Sequence, residues 1–292
     1  MKTTFVLFLI FPVLGSCQFS KSVKKDLVSE LSSTGSIISC ADVYITVDDE
    51  KTTRNSFIYG ETFYLNFSDV TGLTKENGTV FPGMNMSVIN ASGDTLMKTG
   101  DLISNYPDGM NFTPLLLTAD LTVAAPIKSG GKYTVVINIR DRKGKGIYSS
   151  KFDFTVIKND RITVESSNVA YDEIYLFSPG NDKVITDNKI AFNDNIYVII
   201  EGLKGFAESG GTVFPGMRVK ATDSANNIIL ESDDIFSDYT VSGFAASDLA
   251  ERVSAHFSIP GTQFNNPLHI EMTVWDKKSN ARIKASADLI LE

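Results

Sequence analysis

The chain has 292 residues, a formal net charge of −8, 42% hydrophobic residues and two cysteines. That length allows two ordinary domains, and the apolar share suits packed cores. The acidic balance excludes a nucleic-acid partner, which calls for a basic patch against the phosphate backbone, and two cysteines cannot build a disulfide framework.

The N-terminus reads Met1-Lys2-Thr3-Thr4, then an apolar run from Phe5 to Leu14, then Gly15-Ser16-Cys17. One positive charge, a short hydrophobic core and a small-residue exit predict a secretory signal peptide over residues 1–16. The run is shorter than the roughly 20 residues a permanent membrane helix needs, and no later stretch reaches that length. Leu14-Gly15-Ser16-Cys17 resembles the lipobox of bacterial lipoproteins, a resemblance confined to the first 17 residues. It implies a diacylglyceryl group on the Cys17 thiol, cleavage after Ser16, and a membrane partner held by acyl chains at about 0.8 kcal/mol per buried methylene. Gln18 stands where an inner-membrane retention signal has aspartate, which favours the outer membrane. Residues 19–25 carry no acidic cluster of the kind some lipoproteins use for export, so cell-surface and periplasmic faces both stay open.

With Cys17 lipidated, Cys40 has no partner for a disulfide, and its setting Ile37-Ile38-Ser39-Cys40-Ala41 predicts a buried structural thiol. Residues 17–34 read as a lipid-anchored tether. Val23, Leu27 and Leu31 recur at i+4 spacing and permit a short amphipathic helix there, with Gly35 as its stop.

Beyond the tether the chain repeats itself. Gly78-Thr79-Val80-Phe81-Pro82-Gly83-Met84 recurs residue for residue as Gly211-Thr212-Val213-Phe214-Pro215-Gly216-Met217, an offset of 133 positions. The same offset pairs Tyr64 with Tyr197, Gly72 with Gly205 and Asp101 with Asp234; near the ends the register slips by two, so Arg140-Asp141 faces Trp275-Asp276. A period this long exceeds the roughly 20–50 residues of solenoid repeats and predicts two tandem copies of one domain, residues 35–158 and 159–292. The short join between them limits swinging, although a hinge is compatible with it.

Each copy reads as β. Phe63, Leu65 and Phe67 alternate with Tyr64 and Asn66, Ile196, Val198 and Ile200 do the same in the second copy, and Val135, Ile137 and Ile139 alternate with Val136, Asn138 and Arg140. Val135 to Val156 predicts a hairpin turning at Asp141 to Gly146, repeated around Asp276 to Asn280. A terminal hairpin of this form resembles the last two strands of immunoglobulin-like and related β-sandwich modules of bacterial surface proteins, without the Cys…Trp…Cys pattern of antibody domains. The expected fold class is therefore all-β, two tandem, mutually homologous Ig-like sandwiches of roughly 125 residues each, with a small barrel as the competing architecture.

The candidate binding residues are Phe81, Met84, Phe214 and Met217 of the repeated motif, together with Trp275 and its counterpart Arg140. Pro followed by Gly suits a type II turn, so the motif reads first as a structural turn flanked by apolar plugs and second as a duplicated ligand loop. Ile270, Met272 and Val274 make one face of their strand, which puts Trp275 on the other; there it can stack on a sugar, anchor a protein, or pack under a loop or against the neighbouring domain. Acidic and amide clusters such as Asp48-Asp49-Glu50, Asn181-Asp182 and Asp233-Asp234 lack the alternating ligands of a calcium loop and read as turn chemistry, so no metal or cofactor is expected.

The sequence has no nucleophile elbow, no paired-histidine metal motif and no glycine-rich phosphate loop. Its two histidines, His256 and His269, have no counterpart in the first copy. The expectation is a non-enzymatic, lipid-anchored envelope protein presenting a binding or adhesion surface to a protein or glycan. The alternatives are a structural accessory subunit of an envelope assembly, acting through edge-strand pairing, and, more distantly, a glycan-processing enzyme.

Overall fold

The computed structural model describes residues 21–26, 31–192, 194–258 and 265–292; for 21–26 it gives the backbone alone. Cys17 and the lipobox lie outside the described residues.

In chain order the first half carries β1 (Lys21–Asp26), β2 (Leu31–Ser36), β3 (Asp42–Val47), β4 (Glu50–Thr52), β5 (Ser56–Ile58) and β6 (Thr62–Ser68). There follow β7 (Lys75–Glu76), β8 (Thr79–Val80), β9 (Pro82–Asn90), β10 (Thr95–Lys98), β11 (Leu117–Thr122), β12 (Lys132–Asp141) and β13 (Ile147–Ile157). The second half carries β14 (Ile162–Ser167), β15 (Glu173–Ser178), β16 (Lys183–Ile185), β17 (Lys189–Ile190), β18 (Asn195–Glu201), β19 (Thr212–Val213) and β20 (Pro215–Thr222). It closes with β21 (Ile228–Ser232), β22 (Phe244–Ala245), the one-turn-plus helix α1 (Ala246–Glu251), β23 (Val253–Ser258), β24 (Leu268–Asp276) and β25 (Arg282–Leu291).

The two halves have one topology. In the first, a sheet ordered β1-β2-β13-β12-β9-β10 faces a sheet ordered β11-β6-β3-β4. In the second, β14-β25-β24-β20-β21 faces β16-β15-β18-β23. The short strands β5 and β17 add in parallel to the ends of β13 and β25. Each half is thus an Ig-like sandwich of two separate sheets, not a closed barrel.

The alternation legible in the sequence fills the space between the sheets. Phe63, Leu65 and Phe67 of β6 meet Val135, Ile137 and Ile139 of β12 in one buried cluster, and Ile196, Val198 and Ile200 of β18 meet Met272 and Val274 of β24 in the other. The first core is aromatic: Phe57 stacks on Phe63 with ring centroids 4.3 Å apart, and Phe152 and Phe154 pack edge-on against both. Each buried ring of this kind contributes about 1.5–3 kcal/mol. Cys40 is buried in the same core. Both hairpins form as expected, with Arg140 opposite Ile147 and Trp275 opposite Arg282.

Two expectations are corrected. The helix expected over the tether is absent from its described part, where β1 pairs with β2 and β2 pairs with β13 from Leu31–Phe152 to Ser36–Ile147. Leu31 and Ser33 alternate into the first sandwich, and long-range pairing with β13 outweighs an i+4 pattern that is too short to hold a helix alone. The first sandwich accordingly begins before residue 35. The repeated Phe-Pro-Gly-Met is likewise not a turn: Pro82 and Pro215 open the strands β9 and β20, and neither Gly83 nor Gly216 has the positive φ that a type II turn requires.

The halves also meet directly. Tyr59 lies 5.4 Å from Tyr175, centroid to centroid, and Gly60, at φ +91°, packs against Val184 so closely that a Cβ would stand 2.2 Å from its Cγ2. Glu173, 3% exposed, accepts hydrogen bonds from the Ser129 backbone N–H and hydroxyl, both at 2.7 Å, across this junction. Beside it Lys128 pairs with Asp172 at 2.7 Å, and the Tyr175 hydroxyl donates to Glu201 at 2.7 Å. Burial pushes the Glu173 carboxyl up, despite the two Ser129 bonds, and burial likewise pushes the Tyr59 phenol up to about 12.

Candidate functional site

The repeated motif is a structural device built twice. The carboxylate of Asp101 accepts the backbone N–H groups of Met84 and Ile103 at 3.0 and 3.2 Å, and Asp234 accepts those of Met217 and Phe236 at 3.1 and 3.0 Å. Asp141 accepts from Thr74 and Lys143, at 2.7 and 3.0 Å, where Asp276 accepts from Ala207 and Lys278 at the same distances. Phe81 and Phe214 are half-buried beneath Lys143 and Lys278, whose ammonium groups sit 4.8 and 4.9 Å from the ring centroids. Met84 and Met217 are core residues, 1% and 2% exposed, and offer no surface to a ligand.

The glycine of the motif has a different use. Gly83 pairs with Arg140 across β9 and β12, and Gly216 with Trp275 across β20 and β24. A Cβ on Gly83 would lie 2.9 Å from Arg140 Nε, and one on Gly216 only 2.2 Å from Trp275 Cε2. The missing side chain therefore leaves a bed on which the residue of the next strand lies down. The two copies lay different residues on it.

That bed opens onto the outward face of the larger sheet, where each sandwich has a cleft at the same register. The first, of about 460 Å3, is lined by Thr34, Ser36, Asn85, Asn138, Arg140 and Ile147 among others. The second, of about 650 Å3, is lined by Arg218, Asp233, Thr273, Trp275, Asn280 and Arg282 among others. Across the hairpin, Arg140 stands opposite Ile147, which is 60% exposed, whereas Trp275 stands opposite Arg282. An apolar group and a guanidinium thus share both clefts with their positions exchanged.

Their electrostatics differ. In the first cleft the polar neighbours are hydroxyl and amide groups beside the exposed Ile147, and Arg140 reaches Asp101 at 3.6 Å. In the second, Arg218 and Lys220 pair with Glu231 at 2.5 and 3.7 Å, and Lys284 pairs with Glu165 and Glu271 at 2.6 and 3.5 Å. Arg282 is exposed and its guanidinium has no ion pair or side-chain hydrogen bond among the described residues. Of the six expected site residues, then, the fold brings Arg140 and Trp275 to equivalent clefts and keeps the Phe and Met residues as supports.

Arg282, Asn85, Asn138 and Ile147 were not singled out in the sequence. Carrying the strand pairing across the predicted hairpin turn would have placed Ile147 and Arg282 beside the two chosen residues. Asp48, Asp49 and Asp182 adopt the positive φ of turn residues, whereas Asp234 clamps the Met217 and Phe236 N–H groups and pairs with Lys277. The histidines sit apart from one another, His256 against Asn195 at 3.1 Å and His269 against Asp288 at 2.7 Å.

No protein-family model matches the sequence, and no curated protein matches it. Among solved structures, the fibronectin(III)-like modules of Clostridium thermocellum CbhA are similar at 12% identity over 85% of this chain and 94% of that one, with a TM-score of 0.20. A calcium-binding mutant of Bacteroides uniformis beta-glucuronidase 2 is similar at 8% identity over 85% of this chain and 27% of that one, TM-score 0.25. Dimeric latent PorU of Porphyromonas gingivalis is similar at 10% identity over 87% and 20%, TM-score 0.24. At these scores the likeness assigns neither function nor partner; the sandwich fold stands on the sheets themselves.

Proposed function

We propose that this chain is a non-enzymatic, lipid-anchored protein of the bacterial outer membrane whose second Ig-like domain binds a protein or glycan on its outward sheet face. The supporting observation is the pair of equivalent clefts, one of which holds a partly buried indole on a glycine bed beside a guanidinium with no carboxylate partner among the described residues. Anchoring rests on the lipobox residues, Leu14 to Cys17. Trp275 is the only tryptophan in the chain, so its emission reports on this cleft alone. Envelope extract added to the protein shifts that emission saturably, and Trp275→Ala loses retention on immobilised extract while the protein remains folded, as its cooperative melt shows. Retention unchanged in Trp275→Ala refutes the site. Cys17→Ala moves the protein out of the membrane fraction; persistence there with unchanged acyl labelling refutes the anchor.

A second reading, a structural accessory that pairs through a sheet edge, draws on β14. Its counterpart β2 is covered by β1, whereas among the described residues β14 has a strand partner only on its β25 side. A free edge is a template for strand addition. Protease added to intact cells separates the two: a surface binder is shaved, and a periplasmic accessory is protected.

A further inference from the structure

We infer that the Trp275 cleft takes an acidic sugar, with the pyranose face on the indole and the carboxylate on Arg282. This deepens the proposed function and rests on its reading of the cleft as a binding site. Trp275 and Arg282 are opposite residues of β24 and β25, so their side chains leave the same face with Cβ atoms about 5 Å apart. The indole leans over Gly216 on β20, the side of β24 away from Arg282 on β25.

The cleft is polarised. Arg282, on β25, is the one cation on this face without a carboxylate partner among the described residues. Asp233, which also lines the cleft, follows β21, and β24 and β20 intervene between β25 and β21. Three strand spacings place the two charges on the order of 14 Å apart, too far to neutralise each other and with the indole between them. An anionic group is drawn to the β25 end, and a hydroxyl or amine suits the Asp233 end.

The lining also selects a sugar over a peptide. Apart from Trp275 and the buried Ala281, every lining residue is polar or charged, so an apolar side chain has no groove to fill beside the indole. A sugar ring offers one C–H face to the indole and hydroxyls to Thr273 and Asn280. In the first domain Arg140 already has Asp101 at 3.6 Å, so the acid preference belongs to the second domain alone.

The test uses Trp275 emission of the full chain, titrated with hyaluronan, chondroitin sulfate and oligogalacturonate fragments, each beside its carboxyl-reduced form, and with neutral cello- and malto-oligosaccharides and a poly-glutamate peptide. At least one acidic saccharide is expected to bind saturably, and carboxyl reduction to weaken it about tenfold or more. Arg282→Gln, folded by its unchanged melt, is expected to erase that difference, and Arg140→Gln to leave it intact. Equal binding of acidic and reduced forms, or an acid preference surviving in Arg282→Gln, overturns the acidic ligand while the cleft remains a binding site. Binding of poly-glutamate with every saccharide silent overturns the sugar and likewise spares the cleft. Silence towards all probes and towards envelope extract overturns both.

Discussion

Replacing Gly216 and Gly83 by alanine separates the two faces of the repeat with one substitution made twice. Neither glycine has a positive φ, so alanine fits the backbone, and by narrowing the unfolded ensemble it stabilises by about 0.4–1 kcal/mol where nothing is in the way. At Gly216 the new methyl would stand 2.2, 2.3 and 2.7 Å from Trp275 Cε2, Cζ2 and Nε1. These are atoms of one rigid ring, so the whole indole must lift. Overpacking of this kind costs about 1–3 kcal/mol, which after the alanine gain leaves Gly216→Ala destabilised by up to about 2.6 kcal/mol net, about 1.3 at mid-range. At Gly83 the nearest atoms are Arg140 Nε at 2.9 Å and Asp101 Oδ2 at 3.0 Å. Arg140 can swing away, at the loss of an exposed ion pair contributing about 0–1 kcal/mol. Gly83→Ala should therefore fall between about 1 kcal/mol more stable and about 0.6 kcal/mol less stable than the parent. Denaturant unfolding of the full chain gives the stabilities, and the native emission maximum gives the position of the indole, which should shift to the red in Gly216→Ala only. Equal losses in the two variants, or an unshifted maximum, would refute the glycine bed.

Asp276→Ala strands the Ala207 and Lys278 N–H groups and should cost about 1–3 kcal/mol, with Asp141→Ala costing a similar amount in the first domain; a loss under 0.5 kcal/mol in urea melts would argue against this clasp. Met84→Ala and Met217→Ala should each lose about 2–5 kcal/mol as cavities in their respective cores, and a variant that unfolds at the parent's midpoint would contradict the core placement. For Glu173, burial holds the folded value above the ordinary 4.5, so the proton is bound more tightly in the folded state. Its contribution is fully present below about pH 4.5 and is lost as pH rises through the folded value. Glu173→Gln should flatten that part of the pH dependence of the melt above about pH 4.5; an unchanged slope would show that the junction does not feel this group.

The Glu173 junction also shows what periodicity cannot reach. The spacing of Phe63, Leu65 and Phe67, the hairpin from Val135 to Val156 and the identity of the two motif copies are local properties of the chain, and the sequence by itself determined two β domains with those residues inside. Strand alternation is set by the pleat, and it holds whatever the partner strand. The Pro-Gly-Met segment went the other way, because its turn chemistry is a local preference overridden by ladder bonds to β12 and β24. Only the tertiary structure decided that Gly83 and Gly216 are beds, that Arg282 stands beside Trp275 unpaired, and that Glu173 is buried against Ser129. The hairpin pairing brings Arg282 within reach of Trp275, but the glycine beds, the absence of a carboxylate beside Arg282 among the described residues and the Glu173 junction depend on register with strands or on contact with a domain far away in sequence, which no short pattern in the chain records.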